Sequence, residues 1–233
     1  MALAIKNTPV LEGKTSEHFN KMIVIKTVVS KERILEIKSL TKTILSNKKS
    51  WLNLSDFTFS ELKESVVTIN FDCGDGDLND FLCNDSTNYQ NQLIAKTYLF
   101  SNQNGIVAFF SISNDVLTDK GDRSIWNRLS RKIPNQKRKK VFPAVKLGRL
   151  GVSNIIQSGG LGKQIIELII GLVLFESKSA SRFLIVDAYN NERTIKFYNN
   201  NGFQFLLGDK DVNESTRIMF LDLLPYWNAI NPN

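Results

Sequence analysis

The stretch that most constrains this chain is Gln157-Ser158-Gly159-Gly160-Leu161-Gly162-Lys163, a glycine-rich turn between two apolar segments of different period. Upstream, 145–152 reads VKLGRLGV and has the β-branched and aliphatic content of a strand. Downstream, 161–178 carries apolar residues around most of a helical circumference, which predicts a helix covered on more than one side. A turn of this kind lets backbone N–H groups converge without side chains in the way. The N-terminal end of the following helix adds partial positive charge. Together they predict an anion seat suited to a pyrophosphate.

Three phosphate-binding patterns compete for this turn. A P-loop needs Gly five residues before Gly162 and Ser or Thr after the lysine; Gln157 and Gln164 stand there instead. A dinucleotide fingerprint needs GxGxxG, but Ile165 occupies its last position. The third pattern, Q-x-x-G-x-G, fits Gln157, Gly160 and Gly162.

The rest of the chain supplies an α/β frame. Strands are expected over 66–71, 97–100, 106–112, 145–152, 183–188, 203–207 and 217–223. Asn102-Gln103-Asn104-Gly105 reads as a hairpin loop. Leu78, Phe81 and Leu82 have helix-face spacing, with Asp77 as the expected N-cap. Helices are also expected around Ile125, Trp126 and Leu129, and over 193–200. This order implies a mixed sheet. Residues 1–50 have few aromatics and frequent Lys, and read as an N-terminal appendage with a helix over 31–45; 51–233 would be the main domain.

Composition narrows the chemistry. The net charge of +7 favours an anionic partner. Cys73 and Cys83 are the only cysteines and His18 the only histidine. That excludes a disulfide framework and a Cys-based zinc site, and leaves His-dependent triads without support. No metal is expected. No stretch has the length of a membrane span, and the start lacks a signal-peptide core, so a soluble cytoplasmic protein is expected.

Q-x-x-G-x-G after KLGRLGV resembles the pyrophosphate-binding motif of the GNAT superfamily of acyl-CoA-dependent N-acetyltransferases. VDAYNNERTIKFYNNNGF, 186–203, resembles that superfamily's next motif: an Asn, a short helix, a Tyr and a closing Gly-Phe. Both occur in the right order, within a resemblance covering about 66–223. It implies a mixed central β-sheet flanked by helices and acetyl-CoA as co-substrate. Leu150, Gly151 and Val152 would offer backbone groups to the pantetheine arm. Gln157 opens the motif, and the N–H groups of Ser158, Gly159, Gly160, Leu161, Gly162 and Lys163 would hold the pyrophosphate. Asn191 would contact the pantetheine end. Tyr198 would protonate the departing thiolate as general acid, since a phenol of pKa about 10 still holds its proton at pH 7. The plain alternative for Tyr198 is packing with Ile195.

FDCGDGDLNDFL, 71–82, and the LGRLGV strand resemble a narrower branch, the bacterial GNAT toxins that acetylate the amino acid on charged tRNA. Those toxins carry LGRLAV; here Gly151 holds the Ala place. Arg131–Lys140, with six positive residues in ten, could meet tRNA phosphates or the 3′-phosphate of coenzyme A. The partners implied are acetyl-CoA, an amine acceptor with charged tRNA foremost, an antitoxin and a second copy of the chain, with no membrane. No general base stands out: Asp115 and Asp187 lie at expected strand ends, with turn and cap roles favoured for both, and some acetyltransferases of this type show no dedicated base. IKNTPVLEGKTSEHF resembles short proteins that partner such enzymes, as a fused tail would; a leader is the alternative. A small-molecule or protein N-acetyltransferase, or a non-catalytic module binding coenzyme A or nucleic acid, remains open on sequence grounds.

Overall fold

A computed structural model of the chain describes residues 29–45, 56–63, 71–119, 123–130, 141–207 and 211–231. His18, the run 131–140, the tail resembling a partner protein and all of the strand expected at 66–71 except Phe71, which is not in a strand, lie outside them.

Among the described residues the sheet has seven strands in the order β1-β2-β3-β4-β5-β7-β6. These are β1 (Thr58–Glu61), β2 (Lys96–Asn102), β3 (Gly105–Thr118), β4 (Val141–Val152), β5 (Phe183–Tyr189), β6 (Gln204–Phe205) and β7 (Thr216–Asp222). Every pairing is antiparallel except β4 with β5, so the sheet is mixed. The one parallel pair requires a crossover, supplied by α5 (Leu161–Gly171) and a π-helical turn at Leu172–Glu176.

Several boundaries differ from the sequence reading. β3 runs six residues beyond 112, and β4 begins at Val141, so Pro143 lies inside a strand opposite Val116. Extended pairing between the two strands overrides the local loop signal of the proline. Asp115 and Asp187 consequently sit within strands, not at their ends. Asp75, not Asp77, caps α2 (Gly76–Asp80), its side chain accepting from the Leu78 amide at 3.1 Å. The Gly74 backbone, at φ +80°, turns the chain two residues earlier than helix-face spacing alone implied. The hairpin loop shortens to Gln103-Asn104, because Asn102 and Gly105 pair with each other. The last expected strand pair keeps β7 but trims 203–207 to two residues.

α1 (Lys31–Leu45) forms as its periodicity predicts. It buries Ile34, Ile37, Leu40 and Ile44. α5 buries Leu161, Ile165, Ile166, Leu168, Ile169 and Ile170, and its apolar circumference is used on both sides: the sheet lies on one, α1 on the other. The helices meet so closely that a Cβ on Gly171 would lie 1.8 Å from Thr41 Oγ1. A smaller core joins Trp126 and Leu129 of α4 (Arg123–Ser130) to Phe142, Phe183 and Phe220. A third joins Phe71, Phe81 and Leu82 to Leu99 and Phe109. This last core carries α2, the π-helical turn Phe81–Asp85 and α3 (Ser86–Asn91) against the sheet. The chain also has α6 (Glu192–Asn200) and α7 (Leu224–Ile230), whose Pro225 suits a first turn.

Candidate active site

The site begins where the sheet comes apart. β4 pairs with β5 only at Ala144, Val145 and Lys146. Beyond them β4 stays paired with β3 through Val152 but diverges from β5. One edge of Leu150, Gly151 and Val152 therefore faces a cleft instead of a strand. A bulge assists the divergence: Ser111 pairs with Arg149 and Ile112 with Leu147, leaving Gly148 as the extra residue. The cleft encloses about 1040 Å³.

The glycine-rich turn closes one end. Ser158 and Gly160 both have positive φ, 69° and 83°, and Gly160 caps α5. The first amides of α5 are without intrahelical acceptors, and they meet the cleft at Leu161, Gly162 and Lys163. Gly159 is in the turn but not on the cleft wall. A Cβ on Gly162 would press on the Phe197 ring at 3.1 Å. Gly151 is tighter still, since a Cβ there would lie 2.5 Å from Phe109 and 3.2 Å from Phe71. The Gly in place of Ala in LGRLGV is thus matched to two aromatic rings behind the strand.

Gln157 lies at the cleft with its side chain engaged by protein. Its Nε2 lies within bonding distance of the carbonyls of Cys73 (2.7 Å) and Val152 (2.8 Å), and its Oε1 accepts from Arg193 at 2.7 Å. Gln157 thereby ties the glycine-rich turn to the Cys-Gly turn. The latter is braced independently. Asp72 accepts from the Gly74 amide, Asn79 and Asn154, which hold its carboxyl below the usual range. Burial pushes the Cys73 thiol up, away from thiolate chemistry.

Asn191 caps α6, its Oδ1 accepting from the Thr194 amide at 2.9 Å while the residue lines the cleft. The cap orients α6 so that Tyr198 is carried inward. Tyr198 is 7% exposed, edge-on to Phe197 and Phe203. Ile195 joins the same cluster, so Tyr198 both packs and lines the cleft. No hydrogen bond to its hydroxyl is found among the described residues. Burial alone pushes its pKa up.

Sequence reasoning passed over Lys146, Arg149 and Arg193, all on the cleft. Lys146 pairs with Asp187 at 2.5 Å across the β4–β5 seam. Lys146 and Arg149 carried a legible signal, two charges within a strand of apolar residues and glycine. Asp115 does not line the cleft; its carboxylate accepts from the Val116 amide.

A mixed seven-stranded sheet, splayed at its parallel pair beside a glycine-rich helix start, defines the GNAT acyltransferase fold, and the chain has that fold. Solved structures share it. A tyrosine-to-phenylalanine mutant of the toxin AtaT superposes with TM-score 0.58 at 21% identity, over 74% of this chain and 92% of that one. AtaT complexed with acetyl-methionyl-tRNAfMet gives 0.59 at 24%, over 72% and 95%. A tyrosine-to-phenylalanine mutant of KacT gives 0.57 at 21%, over 74% and 98%. No family model and no curated protein matches the chain. No helix among the described residues is long and apolar enough to cross a membrane.

Proposed function

We propose that the protein is an acyl-CoA-dependent N-acetyltransferase that moves acetyl from acetyl-CoA to the amine of an aminoacyl-tRNA. The observation that carries this reading is the splay of β4 from β5, with Tyr198 on its wall and the glycine-rich turn at its end. The cleft suits acetyl-CoA by donor type: turn amides for the pyrophosphate, an unpaired strand edge for the pantetheine amides. The neighbours support it, since AtaT has been solved with acetyl-CoA and with acetyl-methionyl-tRNA. AtaT has also been solved with the C-terminus of its antitoxin AtaR, which supports an antitoxin partner here. The acetylating domain is assigned to 51–233, with α1 of the preceding segment packed upon it.

In the reaction the acceptor nitrogen bonds to the thioester carbon, the C–S bond breaks, and the sulfur takes a proton. Tyr198 supplies a hydroxyl for that sulfur. Because burial raises the phenol above about 10, while a thiol sits near 8.5, complete transfer from the isolated phenol is uphill. The hydroxyl therefore acts first as a hydrogen-bond donor that strengthens as charge grows on sulfur. The amine's proton passes to water in the open cleft, and the leaving sulfur is protonated in turn from water while the Tyr198 hydroxyl holds it by a hydrogen bond, so the step balances without a dedicated base.

Incubation with labelled acetyl-CoA and charged tRNA tests the reading. Label is expected on the aminoacyl amine. Transfer to peptides or small amines, with none to charged tRNA, would overturn the acceptor and keep the donor.

A further inference from the structure

Arg149 differs from the other arginines with described side chains. Arg33 pairs with Glu36 and Glu167, Arg182 with Asp222, and Arg217 with Asp211. Arg128 donates to Gln204 and Arg193 to Gln157. Arg149 reaches neither a carboxylate nor a side-chain amide among the described residues. Its Nη1 donates at 3.0 Å to the carbonyl of Gly148, and its Nε is buried without a partner. The guanidinium lies 5.0 Å from the centre of the Phe81 ring, a contact that holds its fork in place.

Arg149 is half-buried, with its Nε shielded from water and its fork at the cleft. A buried N–H without an acceptor is unfavourable, and an anion that arrives with a ligand would satisfy the fork. Its placement says which ligand. Arg149 lines the cleft beside the Gly148 bulge, next to Phe81 and three residues before Val152. The anion seat for acyl-CoA lies beyond Val152, at 158–163. The pantetheine and acetyl groups that would run along β4 carry no charge. An anion at Arg149 must therefore belong to the acceptor.

We propose that Arg149 is a specificity residue for the acceptor, its fork receiving an oxygen anion that belongs to the same molecule as the amine. Resting on the function proposed above, that anion is the phosphodiester of the terminal nucleotide of charged tRNA. A carboxylate would satisfy the same donors, so the acceptors in the test separate the two.

The test compares charged tRNA with 3′-aminoacyl-adenosine, which keeps the amine and lacks the phosphate, and with a dipeptide, which offers a carboxylate. Wild type, Arg149→Met and Arg149→Lys are assayed on each. In Arg149→Met, kcat/KM for charged tRNA is expected to fall about tenfold or more, chiefly through KM, the loss typical of one charge-assisted contact. The adenosine fragment should change less than about twofold, as should KM for acetyl-CoA. Arg149→Lys should recover part of the loss, as a point charge without a fork. Equal loss on tRNA and fragment would show a merely structural role and overturn the proposal, as would no loss on either. Loss confined to the dipeptide would also overturn it and assign a carboxylate. A wild type inactive on charged tRNA would overturn the functional reading itself. Arg149→Lys covers the case in which the Met variant does not fold.

Discussion

The two walls of the cleft are made of different material. On the β4–α5 wall the available groups are backbone: the free edge of Leu150–Val152 and the amides of the glycine-rich turn. On the opposite wall they are side chains. Tyr189 donates to Asp77 at 3.0 Å, and Arg149, though a β4 residue, carries its guanidinium toward this side over Phe81. A backbone wall reads what is constant in a ligand and tolerates many side-chain changes, provided nothing fills the approach. A side-chain wall reads what varies. Under the proposed function, the donor would lie along the first wall and the acceptor against the second.

The largest expected effect is at Tyr198, where a side chain stands among backbone groups. Tyr198→Phe should lower kcat by about 100-fold or more while leaving the fold and acetyl-CoA binding intact. Its aromatic neighbours remain, and the hydroxyl has no described partner to lose. The pH profile sharpens this. Because burial raises its pKa, Tyr198 should give wild type no alkaline limb below pH about 10. The sign for stability follows: the buried neutral phenol contributes fully below about 10 and loses that contribution above it, where the unfolded chain ionises first. An alkaline limb near pH 8 that vanishes in the variant would contradict the assignment.

Gly151→Ala should come next. The added carbon meets Phe109 at 2.5 Å, so the strand or the rings must shift. Destabilisation of about 1–3 kcal/mol is expected, read as a lower Tm, with weaker acetyl-CoA binding as the strand edge moves. An unchanged Tm would mean that the aromatic wall yields freely. The smallest effect belongs to Gly160→Ala. Nothing lies within 4 Å of the added carbon, so only the left-handed backbone resists, at about 1 kcal/mol. Acetyl-CoA affinity, measured by titration calorimetry, should weaken by a few fold. A loss as large as that of Gly151→Ala would mean that the turn tolerates less than a backbone seat should.

Much of the frame was legible because it is local. Periodicity marked α1 to the residue, and the apolar circumference of α5 required cover on two sides without saying what supplied it. The cover is α1, through the close approach of Thr41 to Gly171. β1 and α7 went unread. Four residues of TFSE carry too little pattern, and the seven residues of α7 begin one residue after the strand, with only Pro225 to mark the start. Asp77 was read as a cap because spacing alone does not register the turn at Gly74.

By itself the sequence determined the α/β order, the glycine-rich turn that opens α5 and the Asn–Tyr helix that follows β5. These depend on neighbours within a few residues, where backbone sterics and helix periodicity act directly. Only the tertiary structure decided what faces what. It brought Gln157 onto Cys73, Tyr198 onto the β4–β5 splay and Arg149 over Phe81. Those meetings join residues far apart in the chain, through strand pairing and core packing that no local pattern encodes. The glycine-rich stretch thus marked one end of the cleft; the separation of two strands opened the rest of it.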